Sequence, residues 1–147
     1  MNIRELDNEE YDKAILLSLA VFTKCGTTDF TTNGLETFKK FIYNTELMNE
    51  LTIFGAFDSN ELIGIIGTKL NGTHISLFFI NPDYHHKGIG RKLFNRAYAD
   101  QIVEKITVNS SSYAVGFYES LGFSKTAEEQ ETDGLRYTPM IKMQNQL

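Results

Sequence analysis

The sequence predicts an α/β (α+β) fold with a mixed, mostly antiparallel sheet flanked by helices, in the order β-α-α-β-β-β-α-β-α-β-β. Two observations carry this prediction. Apolar residues recur at helical spacing before residue 50, at strand spacing between residues 51 and 80, and again at helical spacing after residue 88. Within the strand-rich stretch, Asn71-Gly72 is a strong β-hairpin signal, so the strands around it are expected to run antiparallel.

The chain has the composition of an ordinary globular domain. Of its 147 residues 41% are hydrophobic and 22% charged, so a single domain over residues 1–147 is expected. The lone Cys25 cannot form an internal disulfide and the N-terminus lacks a signal-peptide run, which favours a cytoplasmic protein. A net charge of -5 disfavours nucleic-acid binding, and no apolar run approaches the roughly 20 residues of a membrane span.

The first third of the chain is predicted to contain one strand and two helices. Residues 2–6 form a short strand, and Asp7 and Glu10 form an N-capping pair for a helix that ends near Lys24. The segment Asn33–Glu36 offers a second capping pair, and apolar residues at helical spacing follow it. A second helix is therefore expected there.

The remaining elements follow from changes of period. Three strands are predicted at Leu51–Phe57, Leu62–Leu70 and His74–Ile80, and Pro82 ends the third because proline cannot donate to a ladder. A helix at 89–103 comes next, followed by a short strand at Lys105–Val108 and a short helix at Tyr113–Leu121. The last element is a hairpin, in which Phe123–Glu131 pairs with Leu135–Met143.

A glycine turn, His85-His86-Lys87-Gly88-Ile89-Gly90-Arg91, joins the third strand to the following helix. Gly88 and Gly90 let a ligand approach the backbone closely, and the first helical turn offers unpaired N–H groups and the positive end of the helix dipole. Four bases and no acids lie between residues 87 and 96, which indicates an anionic ligand such as a phosphate. The alternative is an ordinary turn with solvated bases. The glycine spacings of dinucleotide and nucleotide-triphosphate sites are absent.

A second motif lies one helix and one strand further on, between Asn109 and Phe123. Together the two segments resemble the GNAT superfamily of N-acetyltransferases, which use acetyl-coenzyme A. The glycine turn is similar to the family's Q/R-x-x-G-x-G/A pyrophosphate loop, except that His85 stands where Gln or Arg is usual. The second segment is similar to the family's strand-Asn, aromatic-Tyr and Gly-Phe motif through Asn109, Phe117, Tyr118, Gly122 and Phe123.

The resemblance implies a set of coenzyme-binding residues. The backbone of Phe78, Phe79 and Ile80 is expected to lie along the pantetheine arm of acetyl-coenzyme A. Asn109 is expected to bond that arm or a water, and a plain N-cap role is equally open. The pyrophosphate is expected at His85, His86, Lys87, Gly88, Ile89, Gly90 and Arg91. Because the loop works mainly through backbone N–H groups, the histidine at its first position is expected to affect one side-chain contact and to leave phosphate binding intact.

The resemblance also implies two catalytic candidates, Tyr118 and His74. Tyr118 stands where many members carry a tyrosine that donates a proton to the coenzyme sulfur, and its other interpretation is a core aromatic. His74 falls, without gaps, where the histone-acetylating branch carries a catalytic glutamate, and an imidazole suits a general base. Its nearness to Asn71-Gly72 also fits a surface histidine without a role.

The predicted function is direct, acetyl-coenzyme A-dependent transfer to a primary amine of a small molecule, a lysine or a protein N-terminus. A non-catalytic acyl-coenzyme A sensor and an interaction protein with a degenerate site are the alternatives. Cys25 could suggest an acetyl-enzyme, but a lone cysteine among apolar residues usually packs. No metal is expected, because the adjacent His85 and His86 point different ways and no third ligand is suggested.

The amine acceptor is the partner that the sequence specifies least. The segment Glu128–Asp133 packs four carboxylates into six residues, in the hairpin that borders the acceptor in this family. These carboxylates would attract a cationic amine, and the other interpretation is a solvated hairpin tip. A monomer and a homodimer both fit the sequence.

Overall fold

The computed structural model describes residues 1–26 and 30–144. The strands are β1 (Asn2–Glu5), β2 (Thr52–Asp58), β3 (Glu61–Lys69), β4 (His74–Ile80), β5 (Lys105–Ser110), β6 (Ser124–Lys125), β7 (Gln130–Thr132) and β8 (Leu135–Met143). The α-helices are α1 (Tyr11–Cys25), α2 (Thr32–Ile42), α3 (Thr45–Asn49), α4 (Ile89–Tyr98) and α5 (Val115–Ser120). Short 3₁₀ turns precede α1, follow β4 and precede α5, at Asn8–Glu10, Pro82–Tyr84 and Ser112–Ala114.

The strands form one sheet in the order β1-β2-β3-β4-β5-β8-β6, and β7 joins it by pairing with β8. Among the described strands every pairing is antiparallel except that of β4 with β5. The predicted fold class and the three-stranded meander β2-β3-β4 are therefore confirmed. Of the helices in the described ranges, none is long and apolar enough to cross a membrane.

Helices bury both faces of the sheet. On one face, Ala14 of α1 and Phe38 and Ile42 of α2 belong to the same buried cluster as Leu77 of β4. On the other face, Leu93 and its apolar neighbours on α4 pack with α5 against the sheet. A fully buried leucine, isoleucine or phenylalanine side chain contributes about 1.5–3 kcal/mol. The strands at the centre of the sheet are therefore held in place from both sides.

The sheet opens between β4 and β5. Their parallel pairing is limited to two residue pairs, His74 with Thr107 and Ile75 with Val108. Directly after them, Ser76 is the extra residue of a β-bulge, because two steps along β4 match one step along β3 there. Beyond the bulge, β4 and β5 share no further pairs. Their facing edges therefore border a gap.

The helix predicted at 89–103 is too long, because α4 ends at Tyr98. In the structure residues 99–100 form a turn and residues 101–103 have no regular secondary structure. The Tyr98 hydroxyl donates to the carbonyl of Gly72 at 2.6 Å, which ties the end of α4 to the β3–β4 turn.

Two other predictions change, and one element is new. The cap predicted at Asn33–Glu36 is wrong: Thr31 caps α2, and its hydroxyl accepts a hydrogen bond from the N–H of Gly34 at 3.2 Å. The predicted strand Phe123–Glu131 is interrupted, because its exposed middle offers little apolar surface to bury and only β6 and β7 pair with β8. The short helix α3, capped by Asn44, was not predicted.

Candidate active site

Two cavities meet at the opening between β4 and β5. The first, called the α4 groove here, has a volume of about 470 Å³ and lies between β4, α4 and α5. The second, called the α2 cleft, has a volume of about 400 Å³ and lies between α1, α2, the β7–β8 hairpin and the strands β4 and β5. Four residues line both cavities: Phe78, Tyr113, Ala114 and Tyr118. A ligand in one cavity can therefore meet a ligand in the other beside these residues, as transfer between two substrates requires.

Tyr118 is a core residue that also borders both cavities. It is only 5% exposed, and its ring packs edge-on against Phe78, Phe117 and Phe123 at centroid distances of 6.0, 5.6 and 5.3 Å. Burial raises the pKa of its hydroxyl far above the usual range for tyrosine. The hydroxyl therefore keeps its proton at neutral pH. The two interpretations drawn from the sequence, core aromatic and proton donor, are compatible in one side chain.

The glycine turn leaves the beginning of α4 open. Gly88 and His86 both have left-handed backbone, with φ of +79° and +63°. A Cβ on Gly88 would find no atom within 4 Å, so this glycine is needed for its backbone conformation and the space beside it is free. The exposed Lys87 lies 5.4 Å from the centre of the Tyr84 ring. The turn thus combines accessible helix N–H groups with positive charge, which suits a pyrophosphate.

The histidines of the turn have different surroundings. The Nε2–H of His85 donates to the carbonyl of Ile80 at 2.8 Å, so this side chain braces the turn against the end of β4. His86 is exposed and lines the α4 groove. Within residues 1–26 and 30–144, no group of three or more His, Cys, Asp and Glu side chains could hold a metal ion.

Gly90 serves the contact between α4 and α5. A Cβ at this position would lie 2.8 and 3.0 Å from two carbons of the Phe117 ring, so the helices approach closely because residue 90 has no side chain. The neighbouring Arg91 donates to the carbonyl of Ser120 at 3.0 Å. Gly90 itself also lines the α4 groove, so its interpretation as a residue that admits a ligand stays a prediction, and the contact with Phe117 is a second reason for a glycine at this position.

His74 lies at the start of β4, away from the lining of both cavities. Its Nδ1 is 2.8 Å from the hydroxyl oxygen of Thr107, which in turn donates to the carbonyl of Thr73 at 3.2 Å. The donor of the hydrogen bond between Nδ1 and the Thr107 hydroxyl depends on the tautomer of His74. Burial, with Lys69 adding to it, lowers the pKa of His74. The structure therefore does not bring His74 together with Tyr118.

Asn109 is an exposed residue near the end of β5 and lines the α2 cleft. The N-cap interpretation is wrong, since the cap position of the following 3₁₀ turn belongs to Ser111. The strand itself holds Asn109 in place by pairing with Pro139 of β8. Its amide is therefore available at the edge of the gap between β4 and β5.

Comparison with known proteins decides the family. The family model of the acetyltransferase (GNAT) domain matches residues 26–144. The chain belongs to the GNAT family. Peptidyl-lysine N-acetyltransferase YjaB of Salmonella typhimurium is 27% identical to it, over 97% of both chains.

Solved GNAT structures share the fold at low sequence identity. A GCN5-related N-acetyltransferase from Rhodopseudomonas palustris matches with a TM-score of 0.82 and 16% identity, over 97% of this chain and 95% of that one. PaiA N-acetyltransferase from Thermoplasma acidophilum, in complex with coenzyme A, matches with a TM-score of 0.78 and 22% identity, over 97% and 98%. The predicted function is confirmed at the level of the family: the chain is a GNAT acetyltransferase.

The acidic hairpin of this GNAT chain does not face the α2 cleft as a whole. Glu128 and Glu129 line a separate shallow cavity beside Lys125. Glu131 is paired with Arg136 at 3.3 Å. Of the four carboxylate residues, only Asp133 is among the residues that line the α2 cleft. The expectation that all four border the acceptor therefore needs a correction, because β7 turns its neighbours away from the cleft.

Sequence reasoning missed several residues of the GNAT site. Ser76 lines the α2 cleft through the β4 bulge, for which the sequence carries no local signal. Tyr113, at the junction of the two cavities, was read only as the start of a helix. Phe38 lines the α2 cleft, stacked on Phe22, although helical spacing marked Phe38 only as an apolar residue of the second helix.

Proposed function

We propose that this GNAT enzyme transfers acetyl directly from acetyl-coenzyme A to the primary amine of a lysine side chain. One observation carries the proposal: Tyr118 borders both the α4 groove and the α2 cleft, at the point where β4 and β5 separate. The name of the YjaB relative, peptidyl-lysine N-acetyltransferase, supports lysine as the acceptor. Direct transfer needs both substrates bound at once, which two connected cavities allow.

In this proposal the α4 groove holds acetyl-coenzyme A. Backbone polar groups alternate between the two edges of β4. The N–H of Asn81 donates to the carbonyl of Ile63, so the groups of Phe79 face β3 while those of Phe78 and Ile80 face the gap that β5 leaves open. These groups can pair with the pantetheine arm, although the Ile80 carbonyl also accepts from His85. Asn109 stands on the opposite side of the gap. The pyrophosphate lies at the first turn of α4, beside Gly88. The coenzyme supplies a thioester, whose acetyl group is transferred and whose sulfur leaves as a thiolate.

Tyr118 is the proposed proton donor to the departing sulfur. The hydroxyl is protonated at neutral pH, as that of an unperturbed tyrosine is, and the packing of Tyr118 against three aromatic rings fixes the direction of its ring. General acid catalysis of this kind contributes about 10²–10⁴-fold to a rate. His74 is the proposed base and acts through water, because it lies outside the lining of both cavities.

The proposed acceptor carries one cationic amine on an apolar stem. The α2 cleft is lined mainly by aromatic and aliphatic side chains. Among its described lining residues, Asp133 is the only carboxylate residue, and it is accompanied by the cationic Arg136. A lysine side chain matches this combination, since its methylene stem covers apolar surface while its amine stays polar. An acceptor with several charged amines would find few carboxylates to pair with.

The test is turnover by the purified full-length protein with acetyl-coenzyme A and a lysine-containing peptide. Thiol release gives the rate, and mass spectrometry of the peptide locates the acetyl group. Initial rates with both substrates varied should give intersecting lines, and Cys25→Ala should leave them unchanged. Parallel lines, or loss of turnover in Cys25→Ala, would indicate an acetyl-enzyme. Thiol release without peptide acetylation would refute lysine as the acceptor.

Two further assignments belong to the same proposal. Residues 1–147 act as one N-acetyltransferase domain, supported by the continuous sheet that runs from β1 to β8. The protein works in the cytoplasm, supported by its single cysteine, which has no internal partner for a disulfide. Localisation of a fluorescent fusion tests the second assignment.

A further inference from the structure

The β7–β8 turn packs on the N-terminal end of α2, and two of its main-chain carbonyls accept hydrogen bonds there. The N–H of Thr31 donates to the carbonyl of Gly134 at 3.1 Å. The hydroxyl of Thr37 donates to the carbonyl of Asp133 at 2.8 Å. We call these contacts, together with the approach of Gly34 to Gly134, the α2 clasp. They join segments that are about a hundred residues apart in sequence, a separation of 96 for Thr37 and Asp133.

Two glycines make the α2 clasp possible. A Cβ on Gly34 would collide with the carbonyl of Gly134, and a Cβ on Gly134 would lie 2.6 Å from the hydroxyl oxygen of Thr31. Gly134 also has a φ of +84°, and Asp133 before it has a φ of +51°, so the turn is held in left-handed backbone. The clasp therefore depends on the absence of side chains at Gly34 and Gly134.

The α2 clasp forms one wall of the α2 cleft. Thr37, Asp133 and Leu135 all line the cleft. Just beyond it, Phe30 forms an antiparallel bridge with Leu135, which continues the contact between the hairpin and the α2 region. The separation between α2 and the hairpin thus sets the width of the cleft on this side.

The aromatic side of the cleft is rigid. Phe22 and Phe38 stack with ring centroids 3.9 Å apart and an angle of 7°, and Phe38 meets Phe79 edge-on at 5.9 Å. Stacked and edge-on aromatic pairs stabilise a structure beyond the burial of their surface, so this wall resists displacement. With one wall fixed by aromatic packing, the width of the cleft depends on the wall held by the clasp.

We infer that the α2 clasp is a specificity determinant, which keeps the α2 cleft narrow enough to accept an amine on an unbranched stem and to reject a bulky, branched polyamine. The inference rests on the proposed function, which assigns the acceptor to this cleft. The clasp explains why the acceptor should be an unbranched side chain. The cleft cannot widen for a larger acceptor, because the hairpin cannot move away from α2 without breaking two hydrogen bonds and a close glycine contact.

The test compares two acceptors in the full-length enzyme, a lysine-containing peptide and the branched aminosugar kanamycin. The parent enzyme should have a higher kcat/KM for the peptide. Gly34→Ala should break the clasp while favouring the helix itself, since alanine has a higher helix propensity than glycine. We expect the peptide-to-kanamycin ratio of kcat/KM to fall by about tenfold or more, the scale of a steric mismatch in a pocket. The KM for acetyl-coenzyme A should stay constant.

Two more variants separate the clasp from general damage. Asn33→Ala changes an exposed neighbour on the same helix and should keep the parent ratio. Thr37→Val removes one clasp hydrogen bond with little change in volume and should also lower the peptide-to-kanamycin ratio. It provides the test if Gly34→Ala fails to fold. A folded Gly34→Ala with the parent ratio would overturn the inference.

The proposed function can fail separately. Calorimetric affinities of the two amines, measured with coenzyme A present, give the same comparison without turnover. A parent protein that acetylates neither amine but binds the peptide more tightly refutes the acceptor assignment and leaves the clasp standing. A parent that binds kanamycin as tightly as the peptide overturns the clasp.

Discussion

Replacing Tyr118 by phenylalanine removes one oxygen atom and keeps the ring. The ring contacts to Phe78, Phe117 and Phe123 account for the packing of this residue, so the variant should fold with a stability within about 1 kcal/mol of the parent. The lost hydroxyl is the proposed proton donor. We expect kcat to fall by about 10²–10⁴-fold, which corresponds to about 2.7–5.4 kcal/mol of barrier.

Tyr98→Phe is a matched control. Tyr98 is also a buried tyrosine whose pKa is raised by burial, but its hydroxyl donates to the carbonyl of Gly72, and Tyr98 is not among the residues that line the two cavities. Removing it leaves a buried carbonyl without its donor, which costs about 1–3 kcal/mol. The control should therefore lose stability and keep kcat, the opposite pattern to Tyr118→Phe.

The assay is single-turnover thiol release, which reports the chemical step, together with thermal unfolding of each variant. For a chain of this size about 1 kcal/mol corresponds to roughly 2–4 °C in Tm. A Tyr118→Phe enzyme with a rate within a factor of about three of the parent would refute the proton-donor role. The same rate loss in both variants would show that burial of the tyrosines, and not the position of Tyr118, matters.

Three further predictions test other parts of the site. Gly90→Val should displace Phe117 and raise the dissociation constant for acetyl-coenzyme A in a folded protein, and calorimetry that finds an unchanged affinity would contradict this. His74 has a lowered pKa in the folded state, so its protonation opposes folding: stability should fall as pH drops from about 6.5 through the folded pKa, and His74→Gln should flatten that fall and remove the acidic limb of the rate profile. An unchanged pH profile of both stability and rate would leave His74 without either role. Glu128→Gln with Glu129→Gln should leave the acceptor KM and its salt dependence unchanged, because these carboxylates lie outside the α2 cleft; a raised KM would restore long-range steering.

The sequence determined those features that depend on local spacing. The strand His74–Ile80 has the predicted bounds, and the N-capping pair forms, with the N–H of Asp7 donating to Glu10 at 3.1 Å. The glycine turn also lies between β4 and α4, as predicted. These features could be read because a periodic apolar face, a cap or a turn is specified by residues within one or two turns of each other.

Tertiary structure decided what depends on distant segments. Gly90 allows a close contact with the ring of Phe117 on α5, and Gly34 allows a close contact with the turn at Gly134, a hundred residues away in sequence. The position of His74 outside both cavities follows from the register between β4 and β5 and from its bond to Thr107. A single sequence records which side chain each position carries, whereas packing decides which neighbour that side chain, or its absence, will meet.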